Sequence, residues 1–185
     1  MKVRVRRMTE TDLPAVMLID AMSLPLPWPE RAYRHELRAS YSRPWVAETT
    51  LTEGDGPLVY RSPAVGDGSP LIRGPGEQAV VGFLVLWKIV DEAHIATLAV
   101  HPRFRRRGVA RALLAKALEE AVAEGARRAY LEVRQSNLAA QSLYRRFGFQ
   151  VTGRRVGYYK NNGEDALLMD AVFPQESGEE ITFHK

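Results

Sequence analysis

AHIATLAVHPRFRRRGVARALLAKALEEAVAEG, residues 93–125, changes its hydrophobic period partway along. AHIATLAV (93–100) is an apolar strand. From Val109 onward, Leu113, Leu114, Ala117, Leu118, Ala121 and Val122 fall on one helical face, and Gly125 stops the helix. Between the two lies RRRGVA (105–110), three like charges at the mouth of a helix. Unpaired backbone N–H groups and the positive end of the helix dipole favour an anion there. Arg103, Arg105, Arg106, Arg107 and Arg111 crowd around Gly108, which relieves the steric cost of a turn that aims successive N–H groups inward. Ala110 is small enough for a backbone to approach a ligand closely. The reading is a phosphate site, set against the plainer alternative of a solvated basic helix start.

Upstream, VRVRR (3–7) alternates as a half-exposed strand, and Thr11 or Asp12 caps a helix whose apolar stripe runs through LPAVMLIDAMS. SLPLPWPE (23–30) is a proline-punctuated elbow, a second helix runs from near Trp28 through Leu37 with Pro29 in its first turn, and PWVAET (44–49) is a strand. Residues 52–78 are dense in Gly and Pro and carry neither period, so they read as a long hairpin insertion. AVVGFLVLWKIV (79–90) is the strand before AHIATLAV. Downstream, RAYLEVR (128–134) is a strand, SNLAAQSLYRRFGF (136–149) a short helix capped near Asn137, and VTGRRVGYY with EDALLMDAV a hairpin closed by KNNG. The pattern predicts an α+β domain with a mixed sheet, parallel where a helix separates two strands. It is expected to be a single domain over 1–173 with the insertion at 52–78, followed by a polar tail at 174–185.

Composition narrows the classes. The 185 residues are 45% hydrophobic and 26% charged with a formal net charge of +4, ordinary for a mildly basic globular protein. The absence of cysteine excludes a disulfide framework, a thiolate zinc site and a cysteine nucleophile. No apolar core follows the basic start, and the longest dense apolar run, AVVGFLVLW (79–87), is too short to span a bilayer, so a cytoplasmic protein without a membrane partner is expected. His35, His94, His101 and His184 show no metal-ligand spacing; they read as surface or satisfied side chains, and no metal is expected.

RRRGVA resembles the acetyl-CoA loop of the Gcn5-related N-acetyltransferase (GNAT) superfamily, whose pattern Q/R-x-x-G-x-G/A is met by Arg105-Arg106-Arg107-Gly108-Val109-Ala110. IATLAV before the loop, LEVRQSNLAAQSLYRRFGF after it and GYYKNNGEDALLM near the end are similar to the protein N-terminal acetyltransferases. Within these the chain most resembles the bacterial ribosomal-protein-alanine (RimI-like) group, and LPLPWPE is similar to that group's proline-tryptophan segment. The resemblance covers nearly the whole chain except 52–78 and the tail.

It implies a centrally splayed sheet flanked by helices, with backbone groups of Leu98, Ala99 and Val100 pairing with the pantetheine arm of acetyl-CoA as an extra strand would. The loop from Arg106 to Arg111 (Arg106, Arg107, Gly108, Val109, Ala110 and Arg111) would hold the pyrophosphate, with Arg105, which opens the motif, also among the cofactor-binding residues. Asn137 would contact the cofactor's amide arm, alongside an ordinary cap role. Strand alternation sets Glu132 opposite Leu131 and Val133, a place where a glutamate usually meets solvent; the resemblance makes it the general base. Tyr144 reads as a core aromatic, or by resemblance as the acid that protonates the departing thiolate. Tyr158 and Tyr159, with Leu24, Pro25 and Trp28, would line the acceptor groove, and Leu24 stands where the group usually has an aromatic. The implied reaction is transfer of acetyl from acetyl-CoA to the N-terminal alanine of a small-subunit ribosomal protein. Two rivals stand beside it: an acetyltransferase for small amines or lysine side chains, and a non-catalytic CoA- or RNA-binding module. RNA is the weaker partner, because no aromatic-rich single-strand platform accompanies the arginines.

Overall fold

The computed structural model describes residues 1–60 and 71–173. The chain starts with β1 (Arg4–Arg7), a 3-10 turn (Glu10–Asp12), α1 (Leu13–Ser23), α2 (Glu30–Glu36) and β2 (Ser42–Thr50). A second 3-10 turn (Glu53–Asp55) leads to β3 (Leu58–Tyr60) and β4 (Leu71–Arg73), then β5 (Gln78–Ile89) and β6 (Glu92–Val100). A third 3-10 turn (Pro102–Phe104) precedes α3 (Val109–Ala123), β7 (Arg128–Arg134), α4 (Leu138–Arg146), β8 (Gln150–Tyr159) and β9 (Glu164–Val172). Strand order is β1-β2-β5-β6-β7-β9-β8, with β3 and β4 forming a separate two-stranded ladder. The sheet is mixed, since β6 and β7 run parallel while β1 with β2, β7 with β9 and β8 with β9 are antiparallel. The parallel pair is joined through a helix, as a crossover requires, whereas β1 and β2 are antiparallel although α1 and α2 lie between them, which corrects the expectation that a helix between two strands makes them parallel.

The chain divides into two compact units: Met1–Val85 with Thr97–Leu114, and Leu86–Ala96 with the described residues from Ala115 on. In the first, Leu13, Val16, Ile19, Tyr33, Val46, Phe83 and Leu113 are fully buried, with Tyr33 edge-on to Phe83 at 5.7 Å. Arg6 ties β1 to its surroundings. Its guanidinium donates to both oxygens of Asp12 (2.7 and 2.8 Å) and to Glu48 of β2 (2.8 Å). Gly82 of β5 lets α3 approach closely: a Cβ there would lie 2.9 Å from Val109 Cγ1, 3.1 Å from the Ala99 carbonyl and 3.2 Å from Leu113 Cδ1.

Within the Gly/Pro-rich segment the described residues include two strands. β3 and β4 pair antiparallel, Leu58 and Tyr60 are buried, and the Tyr60 hydroxyl donates to the Val80 carbonyl at 2.9 Å. Leu58–Tyr60 and Leu71–Arg73 therefore form an anchored two-stranded ladder within 52–78, and residues 61–70 lie outside the described residues. The tail at 174–185 is likewise outside them.

In the second unit, β6 and β7 are in register over only three pairs, Glu92↔Arg128, Ala93↔Ala129 and His94↔Tyr130. β7 pairs with β9 along its whole length, so the last strand lies between β7 and β8. Short parallel pairing on one side and full pairing on the other is what a splayed strand shows. β8 is irregular between Arg155 and Tyr159, next to Gly157 at φ +60°. Among the described residues, no helix is long and apolar enough to cross a membrane.

Candidate active site

Two clusters of chemistry-bearing residues emerge, one in each unit. The first surrounds the start of α3. β6 ends at Val100, a buried His101 follows, and the Pro102–Phe104 turn leads into the arginines. His101 accepts from the Arg103 amide at 3.3 Å, and burial together with Arg103 and Arg105 pushes its pKa down, so a neutral ring hinges the loop. Arg106 sits at φ +62° and Gly108 at φ +82°. Left-handed backbone at a non-glycine residue costs about 1–2 kcal/mol and is kept only where surrounding contacts enforce it.

Those contacts are made by the arginines themselves. Arg105 donates from Nε to the Val100 carbonyl (3.2 Å) and from Nη2 to Ser23 Oγ (3.1 Å), and Ser23 also donates to that carbonyl at 3.3 Å. The end of β6, the loop and the last residue of α1 are thus joined. Arg107 pairs with Asp55 at 2.8 Å and lies over the Phe104 ring at 5.1 Å. Arg103 donates to the carbonyls of Pro57 and Gly56. Arg105, Arg106, Arg107, Gly108 and Arg111 are exposed, Ala110 is partly so, and Val109 is buried as the anchor of α3. The first turn of α3 carries no acidic residue. An exposed cationic loop with left-handed backbone at Arg106 and Gly108, opening on a fifteen-residue helix, fits a pyrophosphate. Leu98, Ala99 and Val100 lie in β6 just before it, with the Val100 carbonyl already taken by Ser23 and Arg105.

The elbow belongs to the same unit. Asp20, fully buried in α1, accepts from the Trp28 amide and the Tyr33 hydroxyl, both at 2.7 Å. Burial raises its pKa against these two bonds. Trp28 rests on Tyr33 at 5.5 Å, half-buried, while Leu24 is half-buried and Pro25 exposed.

The second cluster centres on Glu132 of β7. It does not face open solvent as an ordinary strand glutamate would. Its side chain is 18% exposed, its Oε2 bonds His94 Nε2 at 2.8 Å, and Oε1 lies 3.5 Å from Arg155 Nη2. His94 is held by aromatic neighbours, stacked on Tyr130 at 4.6 Å and edge-on to Trp87 at 5.1 Å. The bond from His94 and the charge of Arg155 outweigh burial and keep the Glu132 carboxyl below its ordinary range. Reading His94 as a merely satisfied residue missed that its partner is the candidate base. The available signal was the strand period: His94 faces Tyr130 across the parallel pair, and Glu132 is two residues further on the same face.

Tyr144 of α4 is buried against Phe149 at 5.8 Å, and burial, reinforced by Tyr159, raises its phenol well above the usual range. Asn137 caps α4, accepting from the Ala140 amide at 3.1 Å. Tyr158 is exposed and Tyr159 half-buried; the rings meet edge-on at 5.1 Å, with Arg155 over the first and Arg134 over the second at 3.7 Å. Arg134 also bonds Glu164 at 2.9 Å and Asn161 and Asn162 in the β8–β9 turn, which fixes the tyrosines' strand.

Comparison with known proteins points to one family. Residues 17–149 match the model of the acetyltransferase (GNAT) family. The [ribosomal protein bS18]-alanine N-acetyltransferase of Escherichia coli K12 is 30% identical over 86% of this chain and 90% of its own. A Bacillus subtilis protein provisionally given the same name is 34% identical over 91% of this chain and 94% of its own. The crystal structure of the E. coli ribosomal-protein-S18-alanine N-acetyltransferase superposes with a TM-score of 0.71 at 25% identity, over 97% of this chain and 99% of that one.

Proposed function

The chain belongs to the acetyltransferase (GNAT) family, and from that premise we propose that it transfers acetyl from acetyl-CoA to the N-terminal alanine of ribosomal protein bS18. The observation that carries the acceptor is full-length similarity to relatives with that named activity at 30–34% identity. The observation that supports the donor is the exposed cationic loop with its left-handed Arg106 and Gly108.

The residue roles proposed with this function rest on the family resemblance and on the chemistry of each side chain. Acetyl-CoA supplies an activated thioester. The loop from Arg105 to Arg111 holds its pyrophosphate, the backbone of Leu98–Val100 guides the pantetheine arm, and Asn137 keeps its amide side available to that arm while its oxygen caps α4. Leu24, Pro25 and Trp28 are acceptor-binding candidates, and so are Tyr158 and Tyr159. An N-terminal α-amine of ordinary pKa is about a tenth to a sixth neutral at pH 7, so a small fraction is ready to attack without help. Its nitrogen forms the bond to the acetyl carbon while the carbon–sulfur bond breaks. The nitrogen becomes far more acidic as the amide forms, so even the depressed carboxylate of Glu132 can receive its proton, which His94 shares across the 2.8 Å bond. The raised phenol of Tyr144 stays protonated at working pH and serves as donor to the departing sulfur.

The test is CoA thiol release with acetyl-CoA and two alanine-initiated bS18 N-terminal peptides, one free and one already acetylated at the α-amine. Turnover with the free peptide alone is expected. Equal turnover with both would move the reading to side-chain acetylation, and silence with both would remove bS18 as acceptor.

A further inference from the structure

Arg107 already belongs to the proposed pyrophosphate loop, but its partner Asp55 carries no role so far. Asp55 ends the 3-10 turn at the start of the Gly/Pro-rich insertion, fifty-two residues before its partner in the chain. It is built into place from its own side: its Oδ2 accepts from the Thr52 hydroxyl (2.7 Å) and the Thr52 amide (2.9 Å), leaving Oδ1 for Arg107 Nη1 at 2.8 Å. Its side chain is 8% exposed while that of Arg107 is 44% exposed, so the carboxylate is fixed and the guanidinium keeps a solvent face. The next two residues continue the grip, since Arg103 donates to the carbonyls of Gly56 and Pro57 at 3.2 and 3.0 Å. Both arginines also flank the Phe104 ring, at 6.0 and 5.1 Å. The insertion is in turn anchored by buried Leu58 and Tyr60.

Resting on the reading of this loop as the acetyl-CoA site, we propose that Asp55 is a positioning residue for acetyl-CoA: the insertion's first turn holds Arg107 and the left-handed backbone of Arg106 in their phosphate-ready arrangement before the ligand arrives. The insertion is then a brace on the cofactor loop. Arg107 has five N–H donors, and committing one to Asp55 leaves others for phosphate oxygens. Preorganisation of this kind raises affinity by removing an ordering cost from the binding step. A carboxylate that instead competed with the phosphates for Arg107 would lower affinity, so the two roles differ in sign.

Calorimetric binding of acetyl-CoA to wild type, Asp55→Ala, Arg107→Ala and the double variant tests the brace, with Tm recorded for each. Asp55→Ala is expected to raise Kd roughly fivefold, and to add nothing once Arg107 is alanine. Asp55→Glu, which keeps the charge, recovers part of the loss. Hydrogen exchange on the ligand-free protein is expected to show faster exchange at residues 106–108 in Asp55→Ala. In turnover assays KM for acetyl-CoA rises while kcat is kept. An unchanged or lowered Kd in a folded Asp55→Ala protein overturns the brace alone. Failure of the wild-type protein to bind acetyl-CoA overturns the proposed function and the brace with it.

Discussion

Glu132 is held below its ordinary pKa by His94 and Arg155, which gives its pH behaviour a definite direction. If the ionised carboxylate is needed for turnover, activity disappears as pH falls through that depressed value. His94→Ala removes the leading cause of the depression, so the acid limb of the kcat/KM profile is expected to move to higher pH; an unmoved limb would leave the pair without a catalytic part. Glu132→Gln is expected to lower kcat by about a hundredfold with acetyl-CoA affinity kept, read by single-turnover kinetics beside binding. Asp12 matters for stability instead. Burial alone would raise its pKa, but Arg6 and the Thr9 amide and hydroxyl turn the balance downward. Asp12→Ala strips Arg6 of a two-point partner and is expected to cost roughly 3 kcal/mol, measured by urea unfolding.

At the level of elements, two glycines place α3, and they do so for different reasons. Gly82 is a matter of space: a methyl group there meets Val109, Ala99 and Leu113 at 2.9–3.2 Å, two of them on α3. Gly82→Ala is expected to destabilise by about 1–3 kcal/mol and to weaken acetyl-CoA binding, because the helix mouth moves with the helix. Gly108 is a matter of backbone, since its Cβ would meet nothing within 4 Å but its φ is +82°. Gly108→Ala is expected to cost about 1–2 kcal/mol through conformation alone, with an Asn substitution milder than alanine. Comparing the Tm values of Gly82→Ala, Gly108→Ala and Gly108→Asn separates the two causes. The same contrast explains what the sequence disclosed. RRRGVA was legible as an anion loop because charge, glycine and the onset of a helical period coincide in six residues. β3 and β4 were not legible as strands, because three residues cannot display an alternation.

Over the whole molecule, legibility fell with sequence separation. The alternation of strands and helices gave the mixed sheet, and local caps such as Asn137 followed from residue type. His94 and Glu132 are thirty-eight residues apart and Arg107 and Asp55 fifty-two, so their partnerships depend on register and on a folded insertion that no local pattern encodes. The ionisable groups nevertheless add up to a whole-molecule expectation. Asp12, Asp55, Glu132 and Glu164 are all held low, Glu164 at about 2 by Ser136 and Arg134. Their contribution to stability is complete above the ordinary carboxylate range and is lost as pH falls through the folded-state values. Asp20 runs the other way: with its pKa raised by burial, it favours the fold when protonated and opposes it as pH rises. Urea unfolding from pH 2 to 7 is expected to show stability falling on acidification, and Asp20→Asn to lift its neutral end.

The placing of β9 between β7 and β8 also bears on how the protein is made. Synthesis delivers β7 and β8 first, yet in the sheet these two strands are joined through β9, which follows both. Until β9 emerges, the open flank of β7, which carries Glu132, has no ladder to complete, and the tyrosines of β8 have no partner strand. The sheet of the second unit therefore cannot be completed until translation has passed Val172, and β7 and β8 wait until then for the strand they share.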